Sequence, residues 1–302
     1  MTSPGADQGS QPGPGAGVLG PSLVVIGLMC QEVGASLAVT LFPAVGPIGM
    51  VALRLVFSAI VLLALVRPGL RGRTPIAWRT VAGFGLVLGG MNVFFYLSLE
   101  RLPLGAAVTI EILGPLTLSV LAGRRWLSAL WAGIALVGVL LLGGGLADLD
   151  PLGVVFAVAA AALWAGYILF SQSTGRHFAG VSGLALATAL AALITAPIAL
   201  VVVERTALFD PRILVAGFAI AVLSSTIPYA LELTALRRMS ASAFAILLAL
   251  APAIAAGAGF VLLGQTLSPL SLIGIVCVVV ASAGAVRTGA RVPRPALPPP
   301  IS

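Results

Sequence analysis

The chain has 302 residues, of which 60% are hydrophobic and only 8% are charged, and its mean hydropathy is +1.16. Soluble domains carry roughly 25% charged residues, so this composition excludes an ordinary soluble protein. Apolar runs of about 20 residues, each long enough to cross a ~30 Å hydrocarbon layer, recur along the chain. The sequence therefore predicts an all-α polytopic membrane protein.

The residue types that are scarce exclude several functions. All 16 basic residues are arginines, so the lysine of an ATP-binding P-loop is absent. One histidine, His177, and two cysteines, Cys30 and Cys277, provide no metal cluster, disulfide framework or nucleophile–base pair. We therefore predict no catalytic residues, no cofactor and no metal. The net charge of +7 lies in short loops, which indicates membrane topology rather than nucleic-acid binding.

Ten membrane spans are predicted in chain order, between a Gly/Pro-rich, disordered tail (1–17) and an Arg/Pro-rich tail (287–302). The connections are short and often carry proline or glycine, which leaves no room for a soluble domain. The predicted spans are 18–40, 47–66, 81–99, 105–123, 128–145, 153–173, 181–203, 212–234, 241–263 and 270–286.

The arginines predict the orientation of these spans. With the amino terminus inside, twelve of the sixteen arginines fall in inner loops and the carboxyl-terminal tail, and three fall in outer loops. Only Arg54 lies within a span. Because inner loops of membrane proteins carry an excess of basic residues, both termini are predicted to be cytoplasmic.

The two halves of the chain resemble each other. Residues 96–103 (YLSLERLP) precede a span that contains Pro115, and residues 233–240 (LTALRRMS) precede a span that contains Pro252, 137 positions later. A repeat of five spans enters the membrane inverted in its second copy, so 18–145 and 153–286 are predicted to be inverted repeats. Such repeats are typical of secondary transporters, with a substrate site near the midplane. The alternative is the general similarity of any two apolar stretches.

Several polar side chains fall inside predicted spans, where each charge costs about 3 kcal/mol on insertion scales. Glu32, Arg54 and Glu111 lie about 9–12 Å from the outer ends of their spans, at ~1.5 Å of rise per residue. Asn92 lies at a similar depth, with Tyr96 one turn further along the same face. The sequence therefore predicts a polar layer in the outer half of the membrane.

Two interpretations of this layer remain open. In the first, Arg54 only neutralises the carboxylates and joins the first, second and fourth spans. In the second, the layer lines a cavity in which Arg54 binds a substrate carboxylate, while Glu32 or Glu111 binds an ammonium group or carries a proton. Two acids against one base favour the second interpretation. Glu232, two residues from the inner end of its span, either serves the site or only caps the helix.

A second group of residues is predicted at mid-membrane depth. Trp164 and Tyr167 lie in the sixth span, and Ser224–Thr226 and Tyr229 lie in the eighth. Aromatic rings with a polar tip suit a small amphipathic ligand. The alternative is that the rings are packing residues and the hydroxyl groups bond their own helix.

This arrangement resembles the drug/metabolite transporter superfamily in its EamA-type branch, and within it the threonine/homoserine exporter group. The resemblance covers roughly residues 20 to 286, and the order and spacing of its motifs are specific. The motifs are Gly34–Ala38, Phe42–Pro43, Ala52–Leu55, Gly89–Asn92, Phe95–Ser98, Pro103–Gly105, Ile110–Glu111, Gly114–Leu116, Trp164, Tyr167–Leu169, Pro228–Tyr229, Leu231–Glu232 and Gly264–Leu267.

The resemblance implies a bacterial inner-membrane exporter of small neutral amino acids or related metabolites in exchange for protons. The chain departs from the family where Ala251 and Gln265 stand in place of frequent glutamates, so a coupling role of the first would be absent or moved, for example to Glu111. An exporter or importer of another metabolite or drug is an alternative. A passive channel or membrane enzyme is a further one, although the chain lacks the residue groupings of an enzyme.

Overall fold

The computed structural model describes residues 16–123, 126–141, 149–236, 238 and 247–289. Every regular element within these ranges is a helix, and no strand occurs among them. The amino-terminal tail up to residue 15 and the carboxyl-terminal tail from residue 290 lie outside the described residues. The all-helical class predicted from the composition is therefore confirmed for the part of the chain that the structure describes.

The described helices follow one another with short connections. They are α1 (Ala16–Thr40), α2 (Phe42–Val66), α3 (Pro75–Leu99), α4 (Leu104–Glu111), α5 (Leu113–Gly123), α6 (Trp126–Leu141), α7 (Pro151–Gly175), α8 (Ser182–Val202), α9 (Arg205–Leu208), α10 (Pro211–Ala221), a π turn (Val222–Thr226), α11 (Ile227–Leu236), α12 (Ala251–Leu263) and α13 (Pro269–Gly289).

Among the described helices, five are long and apolar enough to cross a membrane by length and composition, namely α1, α2, α3, α7 and α8. Shorter apolar helices of 10–17 residues overlap parts of the other five predicted spans. Large side chains such as Leu193 and Val201 are exposed, as expected where lipid replaces water around a helix. These features are those of a polytopic membrane protein.

Two helices begin earlier than predicted, each for a local reason. α3 begins at Pro75 rather than at residue 81, because the Thr74 side chain accepts a hydrogen bond from Ala77 N and proline is favoured in the first turn. α2 begins at Phe42 rather than at residue 47, with an extra turn that ends at a kink. Gly46 adopts a φ of 64° at this kink, a conformation that glycine tolerates and residues with a Cβ rarely adopt.

Predicted spans are interrupted near a proline in both halves of the chain. The fourth span is divided at Ile112 into α4 and α5. In an uninterrupted helix the residue at position 115 would donate a hydrogen bond to the Glu111 carbonyl, but Pro115 has no N–H. In the eighth span the π turn precedes Pro228, which likewise lacks a donor. Prolines thus loosen the backbone at mid-helix in both halves of the chain.

Helices from the two halves of the chain pack against each other throughout. α3 packs along α7 and α8, α2 along α8, α1 along α11 and α12, and α6 along α13. α4 crosses α12 closely, since a Cβ on Gly105 would lie 2.9 Å from Ala256 Cα. This packing surrounds a cavity in the middle of the bundle.

Candidate functional site

A cavity of about 960 Å³ lies among the helices, and its wall combines apolar and polar side chains from both halves of the chain. Lining residues come from ten of the described helices, namely α1, α2, α3, α4, α5, α7, α8, α11, α12 and α13. Six of the nine predicted site residues are on its wall, namely Glu32, Arg54, Asn92, Glu111, Trp164 and Tyr167. Residues from five different predicted spans are therefore brought together.

Arg54 is half-buried on α2, and its guanidinium contacts Tyr96 of α3. Its Nη1 donates a hydrogen bond of 3.1 Å to the Tyr96 hydroxyl, and its Cζ lies 5.5 Å from the centre of the Tyr96 ring. Tyr96 is fully buried and does not line the cavity. Tyr96 therefore contacts the arginine rather than the cavity.

Glu32 and Glu111 are buried carboxyl groups on the wall of the cavity. Glu32 is 2% exposed in the middle of α1, and Glu111 is 9% exposed at the last residue of α4. Each lies close enough to Arg54 to interact electrostatically, and they also face each other's charge. Among the residues that the structure describes, Oε2 of Glu32 has no hydrogen-bond partner.

The remaining predicted residues differ in what surrounds them. Asn92 is buried, and its Nδ2 donates to the Leu88 carbonyl one turn earlier at 2.8 Å. Tyr167 packs against Phe84 with ring centres 5.1 Å apart, so its ring has the packing role considered above while it also lines the cavity. Tyr229 and Glu232 belong to α11, but their side chains lie outside what the structure describes.

Five further polar residues that the sequence patterns did not predict line the wall. Ser58 lies one turn after Arg54, and a helical repeat of four from a predicted site residue would have identified it. Gln31 adjoins Glu32, whereas no pattern pointed to the others. The five residues are Gln31, Ser58, Gln172, Thr188 and Ser282.

Two of these hydroxyl groups are unusual. Oγ of Ser58 and Oγ of Ser282 are buried and have no hydrogen-bond partner within the described part of the chain. Thr188, by contrast, donates to the Leu184 carbonyl of its own helix. A buried polar atom costs free energy unless it is paired, so the cavity holds unfilled hydrogen-bonding capacity.

A hydrogen bond joins the segment that follows α12 to the start of α4. Oε1 of Gln265 accepts a hydrogen bond of 3.0 Å from the backbone N of Leu104, the first residue of α4. Gly259 leaves the space for this side chain, because a Cβ at that position would lie 2.6 Å from the same oxygen. A segment of the second half therefore caps a helix of the first.

Apolar helices of membrane-spanning length that enclose a cavity with buried charged groups define a membrane protein of the transporter class. Residues 151–287 match the EamA-like transporter family. Threonine/homoserine exporter RhtA of Salmonella typhimurium is 37% identical over 280 residues, which cover 90% of this chain and 92% of the relative. RhtA of Escherichia coli K12 is 36% identical over 274 residues, which cover 88% and 90% of the two chains.

The chain therefore belongs to the EamA-like transporter family. A crystal structure of another protein has the same fold, with a TM-score of 0.61 and 22% sequence identity. The likeness covers 89% of this chain and 98% of that one. The family assignment predicted from the motifs is confirmed, and the protein is a transporter rather than an enzyme.

Proposed function

We propose that the protein exports small neutral amino acids of the threonine and homoserine class across the bacterial inner membrane, in exchange for protons. The observation that carries the proposal is the cluster of Arg54, Glu32 and Glu111 on the wall of one cavity. An amino acid presents one carboxylate and one ammonium group, and the cluster offers a charge for each. The relatives named threonine/homoserine exporters support the substrate class.

The three ionisable residues have separate proposed roles. The Arg54 guanidinium binds the substrate carboxylate, because its planar fork of N–H donors matches a carboxylate. One of Glu32 and Glu111 binds the ammonium group, and the other carries the proton. Asn92, Trp164 and Tyr167 contact the rest of the substrate, and Tyr229 and Glu232 stay proposed members of the site.

The proposed transport cycle uses two inverted repeats of five spans, 18–145 and 153–286, that rock about the cavity. Equivalent packing supports the repeat, since α3 packs on α7 as α1 packs on α11. Equivalent interruptions also support it, because Ile112 breaks the fourth span and the turn at Ala249–Leu250 stands 137 positions later. Ten spans with both termini in the cytoplasm agree with the bias of arginines toward the inner loops.

One observation favours a second candidate, the export of a larger amphipathic metabolite or drug. The cavity volume of about 960 Å³ is at the upper end of the ~300–1,000 Å³ range of sites for drug-sized ligands. Leucine and aromatic side chains such as Leu62, Leu88 and Phe95 supply much of its wall. A threonine molecule would occupy only part of this space.

Counterflow in proteoliposomes tests the proposal. Vesicles loaded with unlabelled threonine or homoserine should accumulate the labelled amino acid, and an imposed pH gradient should drive net transport. Arg54→Ala should abolish both, whereas Arg205→Ala, on exposed helix α9, should not. Absence of counterflow with both amino acids would refute the proposed substrate class. Flux that does not respond to the pH gradient would refute proton exchange. A passive channel would give flux without counterflow.

A further inference from the structure

Ser58 carries one of five buried hydroxyl groups that have no hydrogen-bond partner among the described residues, and of these five only Ser58 and Ser282 also line the cavity. Within a helix, serine and threonine commonly donate to the carbonyl of the preceding turn. Thr109, Thr195 and Ser224 all form this bond, to Gly105, Ala191 and Ile220 respectively. Ser58 is 3% exposed and lines the cavity, yet among the described residues its Oγ has no partner.

Ser58 is placed one helical turn from Arg54 on the same face of α2. Four residues correspond to a rise of about 6 Å along the axis. Both residues line the same cavity. A substrate that bonds both side chains is separated from each of them by a hydrogen bond of about 2.8 Å. A small amino acid whose carboxylate is bound at Arg54 can therefore bring a side-chain hydroxyl within reach of Ser58.

We propose that Ser58 is the specificity-determining residue that binds the side-chain hydroxyl of the substrate. The inference rests on the proposed function, because it requires a carboxylate at Arg54. The ligand class it implies is neutral amino acids with a hydroxyl on the β or γ carbon. An apolar isostere such as valine leaves the buried Oγ unpaired, and the penalty corresponds to about 10- to 100-fold weaker binding.

Two other serines serve as comparisons. Ser36 is fully buried on α1 and its Oγ also has no partner in the described part of the chain, but it does not line the cavity. Ser282 lines the cavity and shares the unpaired Oγ, but it lies on α13, away from the helix that carries Arg54. Ser36 is therefore a matched control, and Ser282 is a rival for the same role.

The experiment measures how well threonine and valine each compete for counterflow of labelled threonine in proteoliposomes. The wild-type protein should prefer threonine over valine about 10- to 100-fold. Ser58→Ala should lose most of this preference through weaker threonine binding, with valine binding retained as evidence of an intact fold. Ser58→Thr, which restores a hydroxyl, should recover it, and Ser36→Ala should leave it unchanged.

Several results would overturn the inference. They are a wild-type ratio near one, an unchanged ratio in Ser58→Ala, equal losses for both amino acids, or a collapse in Ser282→Ala instead. A wild-type protein that moves neither threonine nor homoserine would overturn the proposed function as well. The wild-type measurement therefore separates failure of the function from failure of the Ser58 assignment.

Discussion

Tyr96 contacts the Arg54 guanidinium both through its hydroxyl group and through its aromatic ring. Its Nη1 donates to the Tyr96 hydroxyl at 3.1 Å, and its Cζ is 5.5 Å from the ring centre. The tyrosine is fixed in turn, because the rings of Phe42 and Phe95 lie 5.9 and 6.0 Å from its own. These contacts join α2 and α3 and orient the arginine at the wall of the cavity.

Tyr96→Phe should weaken substrate binding without removing it. The change deletes the hydroxyl that aligns Arg54 and keeps the ring over which the guanidinium lies. A hydrogen bond to a charged group contributes about 1.5–3 kcal/mol, so KM for threonine should rise about 10-fold or more while the maximal rate changes little. The KM is measured by counterflow in proteoliposomes.

Ser98→Ala is the control for Tyr96→Phe. Ser98 is equally buried two residues further along α3, and its hydroxyl donates to the Phe95 carbonyl rather than to Arg54. It should leave KM unchanged. A Tyr96→Phe protein with wild-type KM, or one that differs from wild type only in thermal stability, would show that Tyr96 only packs the helices.

Much of the fold follows from the sequence, because hydropathy alone identifies apolar helices. The start of α3 was also readable, since Thr74 followed by proline is a capping signal that the span prediction did not use. The interruptions were harder to predict. Pro115 predicts a weakened bond to Glu111, but whether the helix bends, splits or forms a π turn depends on the helices packed around it.

The part of the site that the sequence predicts is the part that would be energetically costly without a function, namely the charged side chains within spans. Glu32, Arg54 and Glu111 were found because a charge within a span requires a partner or a function. The face that Tyr96 shares with Asn92 predicts that Tyr96 lines the cavity, but its ring contacts Phe42 of another helix and its hydroxyl contacts Arg54. Ser58 was missed because a serine in an apolar helix usually bonds its own backbone, and only the packed structure reveals that it does not.

The contact between α5 and α7 should be intolerant of any side chain. A Cβ on Gly114 would overlap the backbone carbonyl oxygen of Ala161, and backbone cannot move aside as a side-chain end can. Gly114→Ala should lower the free energy of unfolding by about 1–3 kcal/mol or more. The apparent melting temperature in detergent reports the change.

Gly133→Ala is the matched substitution on α6. Nothing lies within 4 Å of a Cβ at Gly133, so alanine should be neutral or should stabilise the helix by up to about 1 kcal/mol. Equal melting temperatures for the Gly114 and Gly133 variants would mean that the close approach of α5 and α7 does not occur.

The cap that Gln265 provides for α4 should require an acceptor oxygen in the side chain, whether or not that side chain is charged. Gln265→Leu leaves the Leu104 N–H without its 3.0 Å partner and should cost about 1 kcal/mol. Gln265→Glu keeps an oxygen there and adds a negative charge near a helix amino terminus, which is favourable, so it should melt at or above the wild-type temperature. Melting curves near pH 7 in detergent compare the three proteins, and a Gln265→Leu protein as stable as wild type would contradict the cap.

Asp150 should make stability depend on pH in the acid range. The backbone N–H of Gly153 donates to Oδ1 at 2.8 Å, Arg101 lies 3.3 Å from Oδ2, and together they hold the pKa of Asp150 below its usual value, the first more than the second. Because the folded pKa is the lower one, the charged form stabilises the fold above the usual aspartate pKa of about 4. That stabilisation is lost as the pH falls through the folded pKa.

Asp150→Asn isolates this charge, because asparagine is also a good helix cap. The wild-type protein should melt above the variant near pH 7, and the difference should close on acidification below about pH 4. Added salt should also reduce it by screening Arg101. A difference that is constant from neutral to acid pH would contradict the assignment of the charge to Asp150.

Glu111 and Glu32 should separate into a coupling and a binding residue. Glu111 ends α4 at the break before Ile112, where the backbone can change direction, whereas Glu32 lies in the middle of the uninterrupted α1. A movable carboxyl group suits proton exchange between the two sides, and a fixed one suits the substrate ammonium.

Glu111→Gln should therefore abolish transport driven by a pH gradient while counterflow continues, and Glu32→Gln should raise KM about 10-fold or more. Glu100→Gln, in the exposed turn after α3, should change neither measurement. The opposite outcome, with gradient-driven transport lost in Glu32→Gln and retained in Glu111→Gln, would exchange the two roles, and gradient-driven transport retained in both variants would remove proton coupling from this pair.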